Sequence, residues 1–207
     1  MRSISLLIVC TALLIDVSCN IDGGCKFHRD YEVNSTLTFK ICVGQNDADL
    51  KNNDAIISLI NSRGYLPTCR VLNLMLWMSE QVSGQIGNGL FVEVGANIGS
   101  CTNHIASLGY RVYSIDPVPE HARIIAGSRE INPSFFIHHT QGGASFKSEE
   151  IQGQLRLAPR NWGAGYIHRE QGDTNITLIS LDDIIKDESV RLLKLDCEGC
   201  EYAALLG

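Results

Sequence analysis

The sequence predicts an α/β protein built on a doubly wound parallel sheet, and three observations carry that expectation. From Leu90 onward, short β-branched apolar runs alternate with helical stretches, the pattern of strand–helix–strand units whose crossovers impose parallel pairing. A glycine-rich turn, Gly95 to Gly99, follows the first of these runs directly. Two later runs end in an aspartate, Asp116 and Asp196, at the carboxyl edge where open α/β sheets bind their ligands.

The elements follow in order. Thr36 to Val43 reads as a strand and Asp47 to Asn61 as a helix. Arg70 to Gln81 is a helix apolar around most of its circumference, expected to pack on the main body, and Ser83 to Gly89 has loop chemistry. Leu90 to Val94 is a buried strand, followed by a helix with Ser100 as N-cap and Gly109 as its stop. Arg111 to Ile115 is the second strand, Glu120 to Asn132 the next helix with Pro133 beyond it, and Phe135 to His138 the third strand. Gly142 to Gly172 is glycine-rich and suits a hairpin excursion. Ile176 to Leu178 is strand-like, Leu181 to Lys186 a short helix, and Arg191 to Leu195 a further strand.

Composition narrows the function classes. The 207 residues are 44% hydrophobic and 19% charged, which excludes a disordered, collagenous or coiled-coil chain. A net charge of −6, from 23 acidic against 17 basic residues with no basic cluster, argues against nucleic acid as a partner.

Arg2 precedes the apolar run Ile4 to Ile15, shorter than the roughly 20 residues a helix needs to cross a bilayer. It reads as a secretory signal, residues 1–19, cleaved before Asn20; the alternative is a short signal anchor. No membrane span is expected after cleavage, and the chain is expected in the secretory lumen or outside the cell. Cys10 and Cys19 would leave with the signal, so that six of the eight cysteines remain to pair in an oxidising compartment. A Cys25–Cys42 bridge is favoured because it would staple a thin N-terminal segment. Two sequons, Asn34-Ser35-Thr36 and Asn175-Ile176-Thr177, fit a secreted glycoprotein.

The chemistry gathers at the strand ends. Glycines just past a strand let the backbone approach a ligand closely, and the open N-terminus of the next helix offers amides. The spacing in Gly95-Ala96-Asn97-Ile98-Gly99 is not the Gly-x-Gly-x-x-Gly fingerprint, which disfavours a nicotinamide oxidoreductase. Asp116 stands where doubly wound folds hold a ribose diol, its alternative being a turn-forming aspartate before Pro117. In Asp196-Cys197-Glu198-Gly199-Cys200-Glu201, the carboxylates could serve a site or charge a helix N-terminus, and the cysteine pair reads as a disulfide or packing rather than zinc.

Four segments in order, Phe91 to Gly99, Asp116 to Pro119, Ser180 to Asp183 and Lys194 to Glu201, resemble the signatures of the FkbM-type methyltransferases, over roughly residues 90 to 207. The resemblance implies a Rossmann-like class I methyltransferase domain at 90–207, residues 20–89 packing on it, and S-adenosylmethionine as cofactor. It implies that Glu93, Gly95, Ala96, Asn97 and Gly99 surround the methionine and sugar of the cofactor, that Asp116 holds the ribose, and that Gly143 and Ala144 lie near the adenine. Asp196 and Glu198 would face the transferred methyl and the acceptor, a hydroxyl of a glycan or small molecule. Asp196, Glu198, His138 and His139 are the candidate bases, although an ordinary strand-end role is preferred for the histidines. By the same resemblance the sheet has further strands beyond Gly207, so the domain is expected to be incomplete at its C-terminus. A secreted, non-catalytic binding module that keeps the fold is the alternative.

Overall fold

The computed structural model describes residues 25, 27–44, 55–84, 89–158, 161–169 and 172–207. The signal, its cleavage site and Asp47–Asp54 of the expected first helix lie outside the described residues.

The chain opens with an antiparallel pair, β1 (Phe27–Glu32) and β2 (Thr38–Gly44), followed by helices α1 (Ala55–Arg63) and α2 (Pro67–Ser83). The alternating part is β3 (Leu90–Val94), α3 (Ser100–Ser107), β4 (Arg111–Asp116), α4 (Pro119–Ile131) and β5 (Ile137–Gln141). After it come β6 (Gly143–Ser145), the long β7 (Glu149–Ala158) and β8 (Asn161–His168), β9 (Thr174–Ser180), α5 (Leu181–Ile185), β10 (Val190–Leu195) and α6 (Glu201–Ala204).

Four strands form one parallel sheet in the order β10-β3-β4-β5. Alternation along each strand sends side chains to opposite faces. Phe91, Val112 and Ile137 join one apolar cluster with β1, β2 and α1 to α4, in which Ile105, Ile124, Ile125 and Leu76 are fully enclosed. Leu90, Val92, Val94, Tyr113 and Ile115 join a second cluster with Ala144, Ile179, Leu181, Ile185 and Ala204. Apolar side chains are thus buried on both faces, which a parallel sheet requires.

Among the described residues three disulfides form: Cys25–Cys42, Cys69–Cys101 and Cys197–Cys200. The first is the expected pairing. With sequence separations of 17, 32 and 3, loop-closure entropy assigns them about 3, about 4 and about 2 kcal/mol respectively. Cys69–Cys101 also locks α2 onto α3.

Several expectations are corrected. The third strand begins at Ile137 rather than Phe135, because Pro133 and Ser134 lie in a turn closed by Phe135 N–H donating to Asn132 O at 3.0 Å, and Phe136 is left in solvent. β1 was not anticipated, since Phe27-His28-Arg29-Asp30-Tyr31-Glu32 places few apolar residues, and its partner β2 runs 38–44 rather than 36–43. The helix expected at 47–61 reaches Arg63 in its described part. The excursion after residue 142 does contain a hairpin, β7-β8, but it belongs to a second sheet, β6-β9-β7-β8, in which the strand expected at 176–178 pairs with β6 and β7. Gly99, with φ +76°, caps α3 in place of Ser100, and that helix ends at Ser107, two residues before Gly109.

Candidate functional site

The chain runs from β3 outward to β4 and β5 and then returns to β10 on the other side of β3. At such a reversal the connections leaving the two central strands diverge and open a crevice at their carboxyl ends. A cavity of about 510 Å³ occupies this place. Among the candidate residues, Glu93, Gly95, Ala96, Asn97, Asp116, Gly143, Ala144, Asp196 and Glu198 line it. Gly99 does not: a Cβ there would lie 2.6 Å from Ile125 Cγ1, so its glycine serves the packing of α3 on α4.

Gly95 is where the two central loops meet. Its φ is +79°, and an added Cβ would lie 1.8 Å from the carbonyl oxygen of Asp196. No side chain fits between the β3 and β10 loops. The amides of this turn are occupied within the chain: Gly95 and Ala96 N–H donate to Ile115 O (2.9 and 3.1 Å), Asn97 N–H to Asp116 Oδ2 (2.8 Å), Ile98 N–H to Asn97 Oδ1 (2.6 Å) and Gly99 N–H to Ala96 O (2.9 Å). The turn therefore offers shape more than free donors. One polar group beside it is unspent: Ser100 Oγ is buried on the cavity wall with no hydrogen-bond partner among the described residues.

Asp116 is buried at the end of β4 and is fixed from three directions. Oδ1 accepts from Val118 N–H (3.0 Å) and faces His121 Nδ1 (2.8 Å), while Oδ2 accepts from Asn97 N–H. A carboxylate has about four acceptor sites, so Oδ2 retains capacity toward the cavity.

Glu93 is almost wholly enclosed, yet it is compensated: Thr102 Oγ1 donates to it at 2.6 Å and Lys194 Nζ lies 3.0 Å away. The pairing follows from the ladder, where Lys194 stands opposite Glu93. Lys194 also reaches Asp196 Oδ2 (3.3 Å), at the cavity mouth. Burial disfavours the ammonium, but the two flanking carboxylates outweigh it and hold the Lys194 pKa above its ordinary value. Sequence reasoning gave Lys194 no role; its place two residues before Asp196, on the same strand face, was the available signal.

The Asp196–Glu201 loop carries the second pair of carboxylates. Asp196 and Glu198 are exposed, and Glu198 has φ +55°. Glu201 accepts from Cys197 N–H (3.0 Å) and Gly199 N–H (2.9 Å), and its own backbone amide together with these pulls its pKa down. It braces the loop from the first residue of α6. Opposite lies β8, which brings Asn161, Gly163, Tyr166 and Arg169 to the cavity; no sequence signal marked them. A Cβ on Gly163 would come within 2.4 Å of Asn97 Nδ2, so this strand packs closely on the glycine turn.

His138 and His139 do not line the cavity. His139 Nδ1 lies 3.0 Å from Ser114 Oγ, and burial drives its pKa down to about 4 against the pull of Asp116. No group of His, Cys, Asp or Glu able to hold a metal occurs among the described residues. Likewise, no described helix is long and apolar enough to cross a membrane.

A search of the curated proteins finds no match to this chain. The family model for the methyltransferase FkbM domain matches residues 93–207, from the buried glutamate of β3 through both aspartate-ended strands and the loop beyond. This match covers more than half of the chain, and its span holds the glycine turn, Asp116 and the β10 loop that enclose the cavity: the chain belongs to the FkbM methyltransferase family.

Proposed function

We propose that this chain binds S-adenosylmethionine in the switch-point cavity and transfers its methyl group to a hydroxyl of a glycan or small molecule in the secretory lumen or outside the cell. The observation that carries the reading is the convergence of the glycine turn, Asp116 and the Asp196–Glu198 loop on one cavity of about 510 Å³. The groups present fit the cofactor: Gly95 lets the β3 and β10 loops meet as the cavity floor, Ser100 Oγ is a buried hydroxyl lacking a partner among the described residues, and Asp116 Oδ2 has an acceptor site left for a ribose hydroxyl.

Bound S-adenosylmethionine supplies an electrophilic methyl on a sulfonium. The residues of the chain do the rest by placement. Glu93 and Lys194 hold each other in the floor, and Lys194 holds Asp196 in turn. Asp196 then orients the acceptor hydroxyl, and the exposed Glu198 takes its proton as the oxygen is methylated. Alignment of this kind supplies on the order of 7–11 kcal/mol where reacting groups are well oriented. Gly143 and Ala144, at the start of the second sheet, would flank the adenine, and the strand β8, on the cavity wall, would face the acceptor.

In the lumen, Asn34 is the better glycan acceptor of the two sequons. Both asparagines are exposed, but Asn34 lies in the β1–β2 turn, whereas Asn175 is held in the β9 ladder, its side chain bonded to that of Gln152 opposite. Loss of an N-glycan from secreted N34Q, but not from N175Q, is the expected gel-shift result.

Calorimetric titration with S-adenosylhomocysteine and, separately, NAD tests the central claim. Saturable binding of the former, abolished in Asp116→Ala, is expected. Binding of NAD alone, or of neither, would overturn it.

A further inference from the structure

Building on the methyltransferase reading, we propose that Cys197 and Cys200 are positioning residues, and that their disulfide, reducible in the folded protein by a dithiol, sets the shape of the cofactor cavity. Both line that cavity and are half-buried; Cys101 also lines it but is buried, as are its partner Cys69 and Cys42, in the large apolar cluster, against which the half-buried Cys25 packs. The Cys197–Cys200 bridge closes a span of only three residues, so it constrains the unfolded chain least of the three. Its consequence lies in the folded state.

The span it closes is Glu198-Gly199, and both residues are left-handed, with φ +55° and +107°. For glutamate this backbone is uncommon and must be imposed by the surroundings. Two things impose it: the Glu201 carboxylate gripping the Cys197 and Gly199 amides, and the disulfide across the ends. The same loop forms the cavity floor. Cys197 Cα would lie 3.3 Å from a Cβ on Gly95, and the Asp196 carbonyl would lie closer still, so the loop and the glycine turn touch backbone to backbone. Freeing Cys197 from Cys200 lets the loop relax toward right-handed φ at Glu198 and shifts the floor on which the cofactor rests.

The redox step is a two-electron exchange. A thiolate of the dithiol attacks one sulfur and breaks the Cys197–Cys200 bond; the second thiol of the reductant then displaces that sulfur. Two cysteine thiols and one oxidised, disulfide-form reductant result, each cysteine having gained one electron and one proton.

The test uses the full chain with native disulfides. It is treated with increasing dithiothreitol under native conditions, alkylated and mapped by mass spectrometry, while affinity for S-adenosylhomocysteine is measured by calorimetry at each step. Cys197–Cys200 is expected to open before the other two bridges, with affinity falling roughly fivefold or more, the scale of a coupling between linked sites, and recovering on reoxidation with glutathione disulfide. The C197S/C200S variant is expected to bind as weakly as the reduced chain and to ignore dithiothreitol. Amide hydrogen exchange at Cys197 and Gly199 is followed in parallel and is expected to speed up on reduction. Unchanged affinity and unchanged exchange in the reduced chain would overturn the proposal, whether or not the variant folds. If the oxidised chain binds no S-adenosylhomocysteine, the methyltransferase reading fails instead, and exchange alone decides the role of the bridge.

Discussion

Replacing Gly95 with alanine places one methyl group at the contact between the β3 and β10 loops. The new Cβ would start 1.8 Å from the Asp196 carbonyl oxygen, where real Cβ contacts stay beyond 3.0 Å, so the loops must separate by roughly 1.2 Å. The obstacle is backbone, and no flexible side chain can yield. An alanine at φ +79° adds a left-handed penalty of about 1–2 kcal/mol, and overpacking adds about 1–3 kcal/mol. A total near 3 kcal/mol lowers the thermal midpoint by roughly 6–12 °C for a chain of this size. Gly84→Ala is the control: its φ is +69° but nothing lies within 4 Å, leaving strain of about 1 kcal/mol alone. Displacement by about 1 Å in a site built on alignment should slow methyl transfer on the order of 100-fold and, in calorimetry, weaken S-adenosylhomocysteine. Gly84→Ala should bind as the parent does. Retention of full affinity in a folded Gly95→Ala chain would refute the placement of the cofactor on this turn.

Acid should destabilise the fold through His104, which is wholly buried, has no hydrogen-bond partner at either ring nitrogen among the described residues, and is driven down to about 4 by burial and by Arg70. A histidine whose folded pKa lies below its unfolded value of 6.5 contributes stability above that value and loses it as pH falls toward 4, here up to about 3 kcal/mol; His104→Met should flatten that part of a midpoint-against-pH curve, and an unchanged slope would count against it. Lys194→Met strands Glu93 in the interior and should cost about 3 kcal/mol in denaturant unfolding, whereas the double change with Glu93→Gln should recover most of it. Because the Lys194 pKa is raised, its contribution is present below the unfolded value near 10.5 and disappears only as pH climbs through the folded one, so a stability loss confined to neutral pH would contradict the pairing. Asp116→Asn removes an acceptor bound by Val118 N–H, Asn97 N–H and His121; it should weaken S-adenosylhomocysteine about tenfold with a smaller loss of stability, on the scale of charge-assisted hydrogen bonds.

Near the sheet the order of elements was legible because local chemistry decided it. Leu90 to Val94 is apolar enough to be buried on both faces, Gly95 is needed for its turn, and Pro119 and Pro133 bracket a helix. β1 was not legible, since a hairpin of FHRDYE composition is held by its partner β2 and by the Cys25–Cys42 bridge rather than by its own pattern. The pairing of β9 was equally hidden. A strand carries no mark of which sheet it will join, and β9 pairs with β6 and β7 through a backbone ladder that any sequence can form.

The candidate site divides in the same way. Residue type and spacing marked Gly95, Asp116 and the carboxylates that begin at Asp196, because left-handed turns and strand-end carboxylates are properties of short segments; the family resemblance singled out Asp196 and Glu198 among them. Contacts across long sequence distances escaped that reading: Lys194 opposite Glu93, the Asp196 carbonyl filling the space above Gly95, Gly163 of β8 against Asn97, and the packing role of Gly99. Each depends on strand order and loop approach, which burial and close packing select over the whole chain at once. Local residue chemistry thus named the candidate edge of the sheet, and the three-dimensional packing shaped the cavity on it.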